Sequence, residues 1–426
     1  MNIKSGTTKI STTMFVPHDL ITEIISLLPV KPLVRFKCVS NSWNTLISDP
    51  TFVKFHLKKS KSSPNPQFTL ITKHYKLIAF RSAYDFDYDC DWSIITYPIS
   101  RLIDNPSATF VADSYHLLNN KYFSMVGSCN GLICLVHNRI TFDYLKISQE
   151  FSFRLWNPAT RKISQEIGYF RESTHGFVFT FGCDESTDTF KVVAYRFIGD
   201  GFTSDVRVFT IGENVWRKIE SFPAVPFGLD ERGQCIAEEP QYGCVFLNST
   251  LNWLASLKYI DWEVSVFDWD FTVEDLVIVS LDLGTETYSQ YRLPHGFDEI
   301  PPTKPTIGVL EECLCLCYSY KGTDIVIWQM KKFGVEESWV QFLKISYHVL
   351  QLNYDISFLP LFLSQDGDTL VLCSSKNEVA ILYNLRDNSM QRIEIKVHKP
   401  IVDDGTYNTL YLSLAQGYVE SLISIC

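Results

Sequence analysis

Three short stretches of the sequence carry residues that could do chemistry. The stretch CLCLC (313–317) places three cysteines two residues apart, and thiolates are common ligands for zinc. The stretch YDFDYDCDW (84–92) alternates four aspartates with aromatic residues and a cysteine, and carboxylates on a loop are ligands for calcium. A third stretch, LKYIDWEVSVFDWDFTVEDL (257–276), combines six carboxylates with two tryptophans, which is typical of a protein-binding surface.

Each stretch also has a purely structural interpretation. Residues two apart in a strand share a face, so the thiols of CLCLC would follow a buried strand, and we favour this over a metal site. The acidic stretch at 84–92 lacks the glycine and terminal glutamate of a known calcium loop, which favours a solvated acidic edge. For 257–276, a hairpin with core aromatics and a binding surface are equally supported. The candidate target-binding residues are Asp85, Asp87, Asp89, Trp262, Asp268 and Trp269.

The sequence contains no recognisable catalytic motif. It has no P-loop, no GxSxG and no HExxH, and its nine histidines are dispersed along the chain. We therefore predict no catalytic residue, no metal and no cofactor.

Composition and charge narrow the class of protein. The 426 residues are enough for two or three domains, and the twelve scattered cysteines favour reduced thiols in the cytoplasm or nucleus. The start shows no signal-peptide pattern and no run has the length of a membrane span, so no membrane partner is expected. Residues 1–60 carry a net charge of +5 and the remainder −15. The acidic part disfavours nucleic acid and would attract a basic partner, although solubility alone explains it equally well.

The segment VPHDLITEIISLLPVKPLVRFKCVSNSWNTLISDPTF (16–52) predicts three short helices. Apolar residues recur at helical spacing over 18–28, Pro32 opens a second helix, and Asp49-Pro50 ends a third. Such a unit can bury one apolar face in its own core, so another face must pack on the larger domain or on a separate protein. A basic, Ser/Pro-rich linker is predicted over residues 57–67.

From residue 68 onward the pattern is that of β-strands separated by polar turns. Two kinds of hairpin alternate, with turns at Asn157, Gly212, Gly284, Gly334 and Asp387, spaced by 55, 72, 50 and 53 residues. A period near 50 with two hairpins indicates four-stranded propeller blades. We predict six blades, with seven as the alternative and a β-sandwich as the rival architecture. The first and last strands would complete one blade together and close the ring.

The helical segment resembles an F-box over nearly its whole length, from Pro17 through LLPVKPLVRFKCVS to LISDPTF, with Asn41 as a departure from the usual basic residue. F-boxes bind the Skp-type adaptor of cullin–RING ubiquitin ligases. The resemblance implies the following adaptor-facing residues: Pro17, Leu20, Ile24, Pro29, Val30, Leu33, Val39, Trp43 and Leu46.

The rest of the chain resembles the plant F-box-associated domain, a group that resembles kelch propellers and includes the S-locus F-box proteins. The motifs that carry this resemblance are SCNGLICL, LWNPATRK, FGCDESTDTFKVVAYRF, DIVIWQMKKFGVEESW and YVESLISI. The implied organisation is a disordered N-terminus (1–14), an F-box (15–56), the linker (57–67) and a β-propeller (68–426).

The resemblance implies a non-catalytic substrate-recognition subunit of an SCF-type (Skp–cullin–F-box) ubiquitin ligase. The F-box would bind the adaptor and, through it, cullin, while the propeller would bind a target protein for degradation. In the S-locus branch the target would be a basic ribonuclease, which the charge of −15 fits; other branches act on immune receptors or other regulators. The alternatives are a propeller enzyme or glycan-binding protein, and a scaffold whose helical unit docks on its own propeller.

Overall fold

The N-terminal part of the protein is a unit of four helices. The computed structural model describes residues 17–61, 68–77, 90–98, 103, 123–143, 146–172, 176–198, 203–227, 243–258, 271–352, 356–364, 366–374, 380–393 and 416–425. The helices are α1 (His18–Ser26), α2 (Val30–Phe36), α3 (Asn41–Ser48) and α4 (Pro50–Lys61). We call residues 17–61 the helical unit. None of the helices in the described ranges is long and apolar enough to cross a lipid bilayer.

The fourth helix differs from the prediction that Asp49-Pro50 ends the helical segment. Asp49 Oδ1 instead accepts hydrogen bonds from the backbone N–H groups of Thr51 and Phe52, at 2.7 and 3.3 Å. Pro50 suits the first turn of a helix, where its missing N–H costs nothing. The pair therefore begins α4. The predicted linker starts inside this helix, which ends at Lys61, and residues 62–67 lie outside the described part of the chain.

Twenty-five strands form six antiparallel sheets in the described residues, which we call blades 1 to 6. Blade 1 contains β1 (Phe68–Leu77), β2 (Cys90–Pro98) and β25 (Gln416–Val419). Blade 2 contains β3 (Phe123–Cys129), β4 (Leu132–Asp143), β5 (Lys146–Asn157), β6 (Lys162–Ile163) and β7 (Ile167–Glu172). Blade 3 contains β8 (Val178–Asp184), β9 (Thr189–Ile198), β10 (Thr203–Thr210) and β11 (Val215–Ile219).

The remaining three blades are also antiparallel sheets. Blade 4 contains β12 (Val225–Pro226), β13 (Cys244–Leu247), β14 (Thr250–Ser256), β15 (Leu276–Asp282) and β16 (Tyr288–Arg292). Blade 5 contains β17 (Thr306–Leu310), β18 (Cys313–Tyr320), β19 (Asp324–Met330) and β20 (Trp339–Ser346). Blade 6 contains β21 (Phe358–Leu363), β22 (Thr369–Ser374), β23 (Ala380–Asn384) and β24 (Met390–Ile393).

The six sheets form a closed ring, as the repeat predicted. The innermost strand of each blade contacts that of the next, from β25 through β3 and onward to β21, which contacts β25 again. The ring closes where β25, near the end of the chain, pairs with β1, the first strand, with Phe68 opposite Val419. The prediction that the two ends complete one blade is confirmed.

The polar turns within the hairpins explain why the sequence repeats as it does. The turn after the innermost strand contains residues of positive φ in five blades: Asn130-Gly131, Asp188, Asn248-Ser249, Glu311-Glu312 and Gly367. Glycine, asparagine and aspartate tolerate this conformation best, and they recur in these turns. Two of the strands that follow these turns, β14 and β18, are almost wholly buried, with Trp253 and Cys315 fully so.

Blade 4 departs from the regular pattern. Its innermost edge is divided between β12 and β13, which pair with opposite ends of β14. Residues 228–242, between these two strands, lie outside the described residues. This insertion accounts for the long spacing of 72 residues in the repeat.

Candidate protein-binding site on the helical unit

Helix α1 and Leu27, the residue that follows it, expose a stripe of large apolar side chains. Leu20, Ile24 and Leu27 are 54%, 60% and 72% exposed, and their spacing of four and three residues places them on one side of the helix. The other side of α1 is buried through Ile25. We call Leu20, Ile24 and Leu27 the α1 stripe. Val39, just after α2, is another exposed apolar residue, at 68%.

The core of the helical unit contains two residues that the resemblance had assigned to the adaptor interface. Val30 and Leu33 are 1% and 0% exposed and pack with Ile25, Ile47 and Phe52. Their side chains therefore stabilise the unit and do not reach its surface, which corrects that assignment. Helix α2 has only seven residues, so sequence spacing alone could not show which side faces inward.

The other predicted adaptor-facing residues lie nearer the surface. Pro17, Leu20, Ile24 and Val39 are exposed, while Pro29, Trp43 and Leu46 are half-buried. The ring of Trp43 packs against that of Phe36, with 5.5 Å between the ring centroids. Leu27 was absent from the predicted set although it is the most exposed member of the α1 stripe. Its position seven residues after Leu20 is the signal that could have identified it. The binding role of all these residues stays a prediction.

Side-chain caps mark the start of helices α3 and α4. The hydroxyl of Ser40 accepts a hydrogen bond from the backbone N–H of Trp43, at 3.2 Å, and begins α3. The carboxylate of Asp49 accepts two backbone hydrogen bonds, from Thr51 and Phe52. These bonds stabilise its charged form and lower its pKa. Pro29 is the N-cap residue of α2 and lies in the connection between α1 and α2.

Helix α4 contacts the connection between α1 and α2. The imidazole Nε2 of His56 lies 2.8 Å from the carbonyl oxygen of Leu28, and the His56 side chain is buried. Burial disfavours the charged ring and lowers the pKa of His56. Helix α4 also carries Lys54 and Lys61, which form ion pairs with Asp188 and Glu185 in the first turn of blade 3.

The helical unit is thus docked on the propeller, but on a side that leaves the α1 stripe bare. The apolar core of the unit includes Ala159, in the turn after β5, and Leu422, in the segment after β25. This contact is the one expected for intramolecular docking. It does not account for the stripe, because Leu20, Ile24 and Leu27 remain more than half exposed. The helical unit therefore has two apolar surfaces, and one of them is left uncovered by the part of the chain that the structure describes.

The cysteine-rich stretch is a strand, as the structural interpretation predicted. Cys315 and Cys317 lie in β18 and are 0% and 1% exposed, and Cys313 is half-buried at the start of the strand. Burial raises the pKa of Cys315 to about 12, so its thiol stays protonated at neutral pH. In the described part of the chain, no three His, Cys, Asp or Glu side chains are grouped so as to hold a metal ion.

The candidate target-binding residues cannot be placed. Asp85, Asp87 and Asp89 lie within 78–89, and Trp262, Asp268 and Trp269 lie within 259–270; both segments fall outside the described residues. Their role in binding a target stays a prediction.

Comparison with known proteins identifies both parts of the chain. Residues 16–55 match the F-box domain, and residues 90–425 match the F-box associated beta propeller domain. An F-box/kelch-repeat protein of Arabidopsis thaliana is 30% identical over 344 residues, covering 78% of this chain and 81% of the relative. The Arabidopsis F-box protein DOR is 25% identical over 408 residues, covering 89% and 88%. Among solved structures, the β-propeller domain of the Trilobed protease from Pyrococcus furiosus is similar with a TM-score of 0.36 and 13% identity, over 68% of this chain and 78% of that one.

Proposed function

The chain belongs to the F-box proteins that carry an F-box associated β-propeller domain, and on this basis we propose that it is a substrate-recognition subunit of an SCF-type ubiquitin ligase. Its F-box binds a Skp-type adaptor, which connects it to cullin, and its propeller binds the protein to be ubiquitinated and degraded by the proteasome.

The single observation that carries this proposal is the bare α1 stripe. Leu20, Ile24 and Leu27 lie on one helix face, although the same unit already has a complete core and a docking surface on the propeller. Complete burial of a fully exposed side chain of this size gains about 1.5–3 kcal/mol, and these three, at 54–72% exposed, would gain a corresponding fraction of it. A helical stripe of this kind fits an apolar groove on a partner protein.

The proposed role is non-catalytic. A receptor that holds its target near the ubiquitin-conjugating enzyme raises the local concentration of the target's lysines, which accelerates transfer without an active-site residue on the receptor itself. The charge of −15 outside the first 60 residues supports a basic target. The free cysteines support a reducing compartment, the cytoplasm or the nucleus.

Adaptor binding tests the proposal directly. We expect the full chain to bind a purified Skp-type adaptor and the double variant Leu20→Asp/Ile24→Asp to bind at least a hundredfold more weakly, because two carboxylates cannot enter an apolar groove unpaired. The matched control is Val215→Asp/Val340→Asp, which alters two propeller residues that are 53% and 50% exposed. The ligase role fails if the wild-type chain does not bind, or if the stripe variant binds as well as the control.

A scaffold role without a ligase is the second candidate, because the helical unit does contact its own propeller through Ala159 and Leu422. Limited proteolysis at residues 62–67 measures how firmly that contact holds the unit. A unit that stays attached after cleavage and never binds the adaptor would favour the scaffold.

A further inference from the structure

The segment that follows the last strand, residues 420–425, is anchored to blade 2. The side-chain amide of Asn157 donates hydrogen bonds to the carbonyl oxygens of Ser421 and Ile423, at 3.1 and 2.9 Å. Asn157 and Ser421 are both 0% exposed. A Cβ atom at Gly131 would lie 2.3 Å from the hydroxyl oxygen of Ser421, so only glycine allows this approach. We call residues 420–425 the C-terminal tail.

The C-terminal tail also packs against the helical unit, through Leu422. Leu422 is 3% exposed and belongs to the same apolar core as Ile25, Leu33 and Phe52. The tail therefore lies between the two domains: Asn157 holds its backbone on blade 2, and Leu422 fills part of the core of the F-box. Ala159 reaches the same core from the turn that Asn157 begins.

Charged contacts add further points of attachment. Lys54 and Lys61 of α4 pair with Asp188 and Glu185 on blade 3. Lys31 of α2 lies near Glu420, where its charge opposes the effect of burial on that carboxyl group. The F-box is therefore attached to blade 2 through Ala159, to blade 3 through two ion pairs, and to the tail through Leu422.

We propose that Asn157 and Leu422 are positioning residues for ubiquitin transfer, because they lock the F-box in one orientation on the propeller. This inference rests on the proposed ligase function. The α1 stripe sets where the adaptor binds, and the tail sets where the propeller, with its target, lies relative to that adaptor. A fixed geometry confines the acceptor lysines to a narrow range of positions, and proximity catalysis depends on such placement.

The orientation can be measured on the full-length free chain. Spin labels introduced through unnatural amino acids at positions 35 and 337, both exposed, report the distance between α2 and blade 5. We expect one narrow distance distribution for wild type and for Leu422→Met, which keeps an apolar side chain of similar volume. Asn157→Ala and Leu422→Ala should each widen the distribution at least twofold.

Two matched controls separate the tail from general effects on the propeller. Asn384 ends the corresponding strand of blade 6 and accepts the backbone N–H of Arg386 at 2.8 Å, so Asn384→Ala removes a similar turn cap without touching the tail. Leu370→Ala removes an equally buried leucine from blade 6. Both should keep the narrow distribution. The proposal is overturned if wild type is as broad as the tail variants, if the tail variants stay narrow, or if the controls widen equally.

A surface variant covers the case in which Leu422→Ala does not fold. Lys54→Glu/Lys61→Glu reverses two exposed charges, and we expect it to widen the distribution less than Asn157→Ala does. Adding Asp188→Lys/Glu185→Lys should restore the wild-type width. Failure of Asn157→Ala and of this charge reversal to widen the distribution would also overturn the proposal.

Function is then tested in a reconstituted ligase with the receptor's own propeller lysines as acceptors. Asn157→Ala should bind the Skp-type adaptor with an affinity within threefold of wild type, since the α1 stripe is untouched. In this variant, ubiquitin should be transferred to a broader set of propeller lysines, and to each of them more slowly. An unchanged lysine pattern in a variant with a widened distribution would overturn the positioning role. If the wild-type chain does not bind the adaptor, the proposed function is contradicted. The width of the distance distribution then still decides whether Asn157 and Leu422 fix the orientation of the F-box.

Discussion

His56 on the fourth helix donates a hydrogen bond from Nε2 to the carbonyl oxygen of Leu28, 2.8 Å away, in the connection between the first two helices. The His56 side chain is 1% exposed, and its Nδ1 atom has no hydrogen-bond partner within the described part of the protein. A neutral ring fits this arrangement, because its single N–H, on Nε2, donates to Leu28. A charged ring would carry a second N–H with nowhere to donate it.

Acidification should therefore weaken the fold. Burial lowers the pKa of His56 from its ordinary value of 6.5, so the unfolded chain takes up the proton first as the pH falls. The stability that the neutral ring contributes is complete above about pH 6.5 and is lost as the pH falls below it toward the lowered pKa. The urea midpoint of the full chain, measured from pH 8 to 5.5, should fall more steeply for wild type than for His56→Gln, whose amide can donate without titrating.

The contributions of other titrating groups cancel in the comparison between wild type and His56→Gln. Burial raises the pKa of Glu420, which acting alone would make the protein more stable at low pH, but both proteins carry that residue. Equal slopes for wild type and His56→Gln would show that His56 is not the group responsible.

Leu33 and Leu20 should separate stability from binding. Leu33→Ala opens a cavity in the core of the F-box and should lower the free energy of unfolding by about 2–5 kcal/mol. Leu20→Ala alters an exposed side chain and should change it by less than about 0.5 kcal/mol, while weakening adaptor binding about tenfold or more. Chemical denaturation and adaptor titration measure the two quantities. A Leu20→Ala protein with full adaptor affinity would remove Leu20 from the interface.

Gly131 and Gly367 form a matched pair for the contact with the tail. Both have positive φ, 78° and 72°, so an alanine at either position should cost about 1 kcal/mol through the backbone alone. At Gly367 none of the described residues has an atom within 4 Å of the added Cβ, whereas at Gly131 that atom would clash with Ser421. Gly131→Ala should therefore cost more and should speed hydrogen exchange in residues 420–425. Similar costs and unchanged exchange for both variants would contradict the tight packing of the tail.

Lys191 and Glu286 form a buried ion pair between blades 3 and 4. Their side chains are 7% and 13% exposed, and Nζ lies 2.9 Å from Oε1. Glu286→Ala removes the carboxylate that neutralises this buried ammonium group and leaves it only the carbonyl oxygen of Leu283 as a described hydrogen-bond partner, so it should lower the free energy of unfolding by about 3 kcal/mol. Lys344→Ala removes the more exposed pair with Asp324 and should cost about 1 kcal/mol or less. Denaturation of both variants in parallel checks the contrast.

The propeller was predictable from the sequence because its signals are local. Each hairpin is made by neighbouring strands, and its turn favours residues that tolerate positive φ, as at Asn130-Gly131 and Asp188. The alternation of two hairpins therefore predicted the six blades and the pairing of the two ends of the ring. Helix α4 was missed because Asp-Pro can end one helix or begin another, and only the packing of Phe52 and His56 decides between the two.

The candidate site was less predictable because its burial depends on contacts that are distant in sequence. Whether Val30 and Leu33 face inward depends on Ile47, Phe52 and Leu422. The contact of Leu422 with the F-box joins opposite ends of the chain, and no local pattern encodes such a contact. The same applies to Asn157, whose motif indicates a turn but does not reveal that its amide holds the tail.

The pairing of β25 with β1 has a consequence for biosynthesis. All residues up to Val419 must leave the ribosome before β1 can pair with β25. Until then a nascent chain has an unpaired sheet edge and an F-box that still lacks Leu422. Such an edge invites pairing with other chains. We therefore expect the growing chain to need shielding until β25 has emerged.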